Sequence, residues 1–172
     1  MKKITLVSFF FLLIFNLVSA NTKIVYVDMN AIVSNSKPGS SILNQLNTLN
    51  KKNLENFKKK EKILKKKETK IISQKNVLAE SEFQTNIEDL KLDIEKYNIE
   101  KKQSITNFNK IRIDNTNKLL KLINPILSDY SESNSIAIIL QKKNIIVGKK
   151  ELDVTNEIIQ IIDENISEFT IK

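Results

Sequence analysis

The sequence has no cysteine and no histidine, and it has only two glycines and two prolines among 172 residues. Without cysteine there is no disulfide framework, no thiol nucleophile and no thiolate metal site. Without histidine the chain lacks the commonest general base and the commonest transition-metal ligand. Two glycines cannot form a glycine-rich loop around a phosphate. The composition therefore predicts a protein that is not an enzyme and that uses no metal and no other cofactor.

The first twenty residues have the pattern of a secretory signal peptide. A positively charged start at 1–3 is followed by the apolar run 4–18 and by the small residues Ser19 and Ala20. We predict cleavage after Ala20 and a mature chain outside the cytoplasm. The alternative is an uncleaved membrane anchor, although about 15 apolar residues is short for a span, which needs roughly 20.

Charge is distributed unevenly along the middle of the chain. The formal net charge is +8, and Arg112 is the only arginine. The segment 51–75 has eleven lysines against three glutamates, whereas 80–100 has seven acids against two lysines. This order predicts two helices that fold back on each other and pair their charges across the seam. The alternative is two solvated faces with no mutual relation. A basic surface favours anionic partners, but the location argues against nucleic acid.

The stretch between Gly39 and Pro125 contains neither glycine nor proline, which is typical of long helix. Apolar residues recur in it at multiples of seven and then at steps of three and four. They are Leu43, Phe57, Leu64, Ile71 and Leu78, followed by Ile87, Leu90, Ile94 and Tyr97. The spacing predicts an antiparallel coiled-coil hairpin over residues 42–124, with its tip near 79–82. The apolar stripe is narrow, so the seam is expected to be partly wet.

The two ends of the chain, 21–41 and 125–172, are expected to form one small body. Three apolar strands are predicted at 23–28, 136–140 and 145–148. Ser40 or Ser41 is expected to cap the first arm helix, and Asp153 a closing helix near the C-terminus. Pro125 is expected to kink or break the second arm helix where it meets the body.

The predicted strands are apolar on both faces, and the body has only about 70 residues, which is marginal for an independent core. We therefore expect the body to assemble with other copies of the chain. The alternative is a monomeric three-stranded sheet with the closing helix on one face. The predicted fold class is α+β, mostly α: a small β-body assembled by oligomerisation, with one long antiparallel helical-hairpin arm per subunit.

Motifs at both ends of the chain resemble the Skp (OmpH-like) family of periplasmic chaperones. At the start these are Lys23-Ile24-Val25-Tyr26-Val27-Asp28-Met29 and Ser36-Lys37-Pro38-Gly39, followed by Leu43 and Leu46. At the end they are Ile123-Asn124-Pro125-Ile126, the strand 136–140 and Leu152-Asp153-Val154-Thr155-Asn156-Glu157-Ile158. The resemblance implies a periplasmic homotrimer with three arms around a cavity. It also implies a function: holding unfolded outer-membrane β-barrel proteins without ATP and preventing their aggregation.

The resemblance and the charge pattern together suggest which residues act. The subunit interface is expected in the first two strands, at Ile24, Val25, Tyr26, Val27, Ile136, Ala137, Ile138, Ile139 and Leu140. Client capture is assigned to lysines of the first arm helix, Lys58, Lys59, Lys60, Lys65, Lys66 and Lys67. Apolar client contacts are assigned to Phe57, Ile63, Ile71, Ile72 and Phe83. The alternatives are a solvated helix face for the lysines and the seam within the hairpin for the apolar set.

Two other functions remain open at this point. The chain could be a periplasmic coiled-coil rod or adaptor, or its 51–75 face could bind an anionic membrane. Some family members have a lipopolysaccharide-binding basic cluster on the arm, but no residues here match it. Lipopolysaccharide and anionic lipid therefore stay open as partners.

Overall fold

The computed structural model describes residues 22–167 and 169–171. The predicted signal peptide and its cleavage site lie outside these residues. The described chain has two strands and four α-helices, with single 3₁₀ turns at Lys142–Asn144 and Lys150–Leu152. The elements in chain order are β1 (Lys23–Val27), α1 (Met29–Asn35), α2 (Lys37–Ser73), α3 (Glu80–Ser133), β2 (Ile136–Gln141) and α4 (Thr155–Asn165).

The sheet is a parallel pair of β1 and β2, with Ile24 opposite Ile138 and Tyr26 opposite Leu140. Parallel strands require a crossover connection, and here the whole α2–α3 hairpin is that connection. The third strand predicted at 145–148 is wrong, because this segment is irregular in the single chain. Apart from the pairing of β1 with β2, the described residues contain only one isolated β-bridge, which joins Tyr26 of β1 to Asp153.

The first arm helix begins earlier than the sequence pattern indicates. Ser36, and not Ser40 or Ser41, is its N-cap, and the Ser36 hydroxyl accepts a hydrogen bond from the Gly39 amide at 3.3 Å. Pro38 fits in the first turn, where a missing amide hydrogen costs nothing. A side chain at Gly39 would place its Cβ 1.7 Å from the Val33 carbonyl oxygen, so glycine is required where α1 meets α2.

The arm is a single helical hairpin, and two details differ from the prediction. The connection between α2 and α3 occupies 74–79, so the tip predicted near 79–82 was placed too late. Pro125 does not end the second helix, because α3 continues through it to Ser133. In the part of the chain that the structure describes, no helix combines the length and apolar character needed to cross a membrane.

The core lies in the body, where the sheet, α1 and α4 pack against the bases of the two arm helices. Its most deeply buried side chains, each 0 % exposed, are Ile32, Leu119, Ile123, Ile158 and Ile162. The N-cap position of α4 is Val154, and Asp153 lies one residue before it. Asp153 nevertheless accepts a hydrogen bond from the Thr155 amide at 3.1 Å, so it serves the helix end from outside the predicted position.

A hydrogen bond between side chains joins α3 to α4 at the edge of the body. The Tyr130 hydroxyl is hydrogen-bonded to the Glu157 carboxylate. Burial of the Tyr130 side chain is the main cause that raises its pKa to about 12, and this hydrogen bond contributes to the same shift. The pair ties the base of the arm to the C-terminal helix.

Candidate functional site

The arm projects beyond the body and buries few of its side chains. Between 50 and 110, only Ile71 and Tyr97 are less than a tenth exposed. At the base, the predicted seam residue Leu43 is 41 % exposed, and the neighbouring Ile42 and Leu46 are buried instead. The seam is therefore closed at the base and partly open along most of its length, as the narrow apolar stripe predicts.

Charged pairs connect the two arm helices along the open part of the seam. Lys60 is paired with Glu100, and Lys67 with Asp93 at 2.7 Å. The Lys60 hydrogen bond lowers the pKa of the Glu100 carboxyl. Basic residues of α2 thus meet acids of α3, which confirms the predicted pairing across the hairpin.

A polar cluster lies beside the Lys60–Glu100 pair, and in it the acid is on α2 and the lysine is on α3. The Tyr97 hydroxyl donates to the Glu61 carboxylate and accepts from the Lys101 ammonium at 3.1 Å. Lys101 also lies 3.1 Å from Glu61 and 5.4 Å from the centre of the Tyr97 ring. The hydrogen bonds from Tyr97 and Lys101 lower the pKa of Glu61, and those to Tyr97 and Glu61 raise the pKa of Lys101. Phe57 packs edge-on against Tyr97 with ring centres 6.0 Å apart.

The six lysines assigned to capture fall into two groups. Lys60 and Lys67 form the pairs across the seam, so their charges are partly satisfied within the arm. The other four are exposed, and no ion pair involves them in the described residues: Lys58, Lys59, Lys65 and Lys66. This second group is the free positive charge of the arm.

The five apolar residues assigned to client contact also divide. Ile63 and Ile72 of α2 are 65 % and 64 % exposed. Phe57 and Phe83 are half-buried. Ile71 is only 6 % exposed and lies in the seam. It is therefore not an open contact in this arrangement, because its side chain is already covered.

The predicted interface residues are split between buried and exposed positions of the two strands. Val25, Tyr26, Val27 and Ile136 are buried within the single chain, which makes them core residues and not a free interface. Ile139 is half-buried and Ala137 is exposed. Three large apolar residues remain open on the sheet: Ile24, Ile138 and Leu140, at 41 %, 46 % and 42 % exposed.

Sequence reasoning missed one exposed apolar site next to this sheet. Ile146 and Val147 are 100 % and 89 % exposed in the irregular segment after β2. Lys142 precedes them and forms an ion pair with Asp153 at 2.8 Å, which anchors the start of the segment. The signal was present in the sequence, because the apolar run 145–147 lies between two lysine-containing segments and has no obvious pairing partner.

No group of three or more side chains from Asp, Glu, Cys and His that could hold a metal occurs in residues 22–167 and 169–171. The open apolar residues and the free lysines are therefore the features of the described chain that suggest function. Both are suited to binding a macromolecule.

Comparison with known proteins identifies the family. The family model described as outer membrane protein (OmpH-like) matches residues 23–162. A crystal structure from Caulobacter crescentus CB15, described as that of a candidate OmpH-like outer membrane chaperone, superposes with a TM-score of 0.81. It is 10 % identical in sequence, and the match covers 88 % of this chain and 89 % of that one, so it shows the shared fold. The comparison with curated proteins gives no match. Because the family model matches most of the length of this chain, the chain belongs to the OmpH-like family.

Proposed function

We propose that this protein is a periplasmic holdase chaperone that captures unfolded outer-membrane β-barrel proteins without ATP. The observation that carries the proposal is the arm: a long hairpin with free lysines and open apolar side chains on the same helix. Lys58, Lys59, Lys65 and Lys66 alternate along α2 with the exposed Ile63 and Ile72. Membership of the OmpH-like family supports the same function.

The chain acts as a homotrimer, assembled through the body. Large apolar side chains remain open on the sheet and beside it, at Ile24, Ile138, Leu140, Ile146 and Val147. Ile24 pairs with Ile138, and Leu140 follows two residues later, so these three share one face of the sheet. An exposed apolar patch of this kind is typical of an interface. The three arms then surround a common cavity, which multiplies weak contacts with one client.

Capture proceeds in two physical steps. The free lysines attract acidic, unfolded chains over a distance of about 8–10 Å at ordinary ionic strength, which makes association fast and salt-sensitive. Exposed isoleucines then provide apolar contacts that are individually weak, so the bound chain stays mobile. No nucleotide is needed, because the client leaves when folding elsewhere offers deeper burial.

The first experiment dilutes a urea-unfolded outer-membrane barrel protein into buffer with and without this protein. We expect suppressed light scattering and, on a sizing column with mass detection, a complex of three chains with one client. Unchanged aggregation beside a stable elongated oligomer would instead support a structural rod.

The role of the lysines is tested by changing Lys58, Lys59, Lys65 and Lys66 to Gln together. Capture in low salt should slow several-fold, while slow apolar holding persists. A control variant that removes the same charge elsewhere changes four other exposed lysines to Gln: Lys110, Lys118, Lys121 and Lys143. Equal capture rates for the two variants would contradict the assignment. Salt-sensitive binding of the folded protein to anionic vesicles, without client binding, would favour the membrane-surface function.

A further inference from the structure

A cleft opens between the two arm helices about halfway along the hairpin. It has a volume of about 170 Å³. Its lining residues are Asn50, Asn53, Leu54, Phe57, Lys101, Ser104, Ile105 and Phe108. It occurs where the seam changes from apolar packing at the base to the polar cluster around Tyr97. The cleft is thus a packing defect of the coiled coil, and not part of the body core.

The walls of the cleft are suited to an aromatic ring. Phe57 and Phe108 are both half-buried, and Phe57 is fixed by its edge-on contact with Tyr97. A cavity of about 150 Å³ lined by leucine, isoleucine and phenylalanine is known to accept benzene. The cleft has a comparable volume of 170 Å³ and is open at one side. A phenyl group can therefore enter from solvent without separation of the helices.

The mouth of the cleft is apolar and surrounded by positive charge. Leu54 and Ile105, one from each helix, are 61 % and 55 % exposed at its rim. Lys51 and Lys58 lie three and four residues from Leu54 on the same helix face, and Lys102 lies three residues from Ile105. These three lysines are exposed, and no ion pair involves them within 22–167 and 169–171.

Two acids of α2 lie near this rim along the chain: Glu55 follows Leu54 and is outside the ion pairs of the described residues, and Glu61 belongs to the Tyr97 cluster. Glu61 lies on the same face of α2, seven residues after Leu54, but it is bonded to Tyr97 and Lys101. Three unpaired lysines against the one unpaired glutamate, Glu55, leave the charge around the mouth positive. An occupant that complements it has an aromatic side chain for the cleft and carboxylates a few residues away.

We infer that this cleft is a side-chain pocket that binds one aromatic residue of an extended, acidic client segment. The inference rests on the proposed chaperone function and assigns a specific contact within it. Exposed isoleucines hold any apolar chain, whereas the cleft selects an aromatic residue and fixes the segment against the lysines. The client thus has a small number of preferred anchor points along an otherwise mobile chain.

The test uses two labelled twelve-residue acidic peptides that differ only by Phe or Ala at the central position. Binding is measured by fluorescence anisotropy with the purified protein. We expect the Phe peptide to bind about tenfold more tightly, as burial of a ring predicts. The variant S104L adds a larger side chain to the lining of the cleft and should bring the Phe peptide to the affinity of the Ala peptide.

The control is T106L, which adds the same side chain at an exposed position two residues away and should keep the preference. L54S opens the rim without adding volume inside the helix pair, so it tests the pocket independently of any folding defect in S104L. Both L54S and S104L should reduce the preference. Retention of the full preference by both variants would overturn the inference.

Other outcomes are equally decisive. Equal binding of the two peptides to the wild type overturns the pocket. If the wild type still suppresses barrel-protein aggregation in that case, the chaperone proposal stands and only the cleft assignment fails. Failure to suppress aggregation overturns the proposed function itself. Binding of phosphatidylglycerol vesicles that S104L abolishes, with no peptide preference, would show that an acyl chain is the occupant and would overturn the inference.

Discussion

The body and the arm of this protein are stabilised by different physics. In the body, five large side chains from α1, α3 and α4 are fully buried. In the middle of the arm, the two helices are connected by ion pairs and by the Tyr97 cluster, all within reach of water. Burial is stronger than exposed ion pairing. The body can therefore remain folded while the arm flexes or separates.

The largest expected effect comes from shortening a buried side chain in the core of the body. Ile158→Ala removes a side chain that is 0 % exposed against the sheet and the arm base. We expect the free energy of unfolding to fall by about 2–5 kcal/mol, measured by urea denaturation. Val77→Ala, at a tip position that is 80 % exposed, should change it by less than about 0.5 kcal/mol. Equal effects of the two changes would contradict the comparison.

The second prediction separates the core of the body from its surface. Ile138 is 46 % exposed in the single chain, so Ile138→Asp should leave each chain helical. In the proposed assembly the aspartate would be buried without a partner, at a cost of several kcal/mol. We expect the mass in solution to fall to that of one chain. Ile63→Asp on the arm is the matched control, and a persisting trimer in Ile138→Asp would show that the interface lies elsewhere.

A smaller effect is expected from the polar cluster of the arm. Tyr97→Phe keeps the ring against Phe57 but removes the hydroxyl shared by Glu61 and Lys101. Arm stability should fall by about 1 kcal/mol, visible as faster hydrogen exchange in α2 and α3 with unchanged exchange in α4. In a double-mutant cycle with Glu61→Gln, the two losses should be less than additive. Additive losses would show that the cluster is not a unit.

The smallest effect is the acid sensitivity of the arm. The pKa values of Glu61 and Glu100 are lowered in the folded arm from 4.5. Their stabilisation is therefore fully present above about pH 4.5 and is lost as the pH falls through the lowered values. The double variant E61Q/E100Q should melt at a lower temperature than the wild type at pH 6, and the difference should shrink as the pH falls below about 4.5. In the control E55Q/E88Q, which changes exposed acids outside the ion pairs described, melting should match the wild type at pH 6.

Much of this comparison can be predicted from the sequence, since it depends on local patterns. The absence of glycine and proline and the heptad spacing predict the hairpin, and the charge order predicts its pairing. The tip was placed too late because Leu78 continues the heptad frame beyond the end of α2 at Ser73. The cap was misplaced because Pro38-Gly39 is typical of a turn, although proline also fits the first helical turn.

What the sequence could not predict at the candidate site has a different cause. Strand patterns show that Val25 and Ile24 are apolar, but not which of them is buried in the core and which is exposed. The segment 145–148 has strand composition, and in the single chain nothing beside it provides a ladder. The division of the lysines into paired and free depends on the rotation of α2 against α3. All three depend on contacts between residues far apart in the chain.

The way in which the arm is inserted has a consequence for how its length can change. The chain leaves the body after β1 and returns to it before β2, and these strands pair side by side. The helical hairpin between the two strands therefore begins and ends at the same place on the body. Adding seven residues to α2 and seven to α3 would lengthen the reach by about 10 Å at 1.5 Å per residue. The body would not change. Reach is thus independent of the body, so in the proposed trimer the volume between the arms can be adjusted while the fold is conserved.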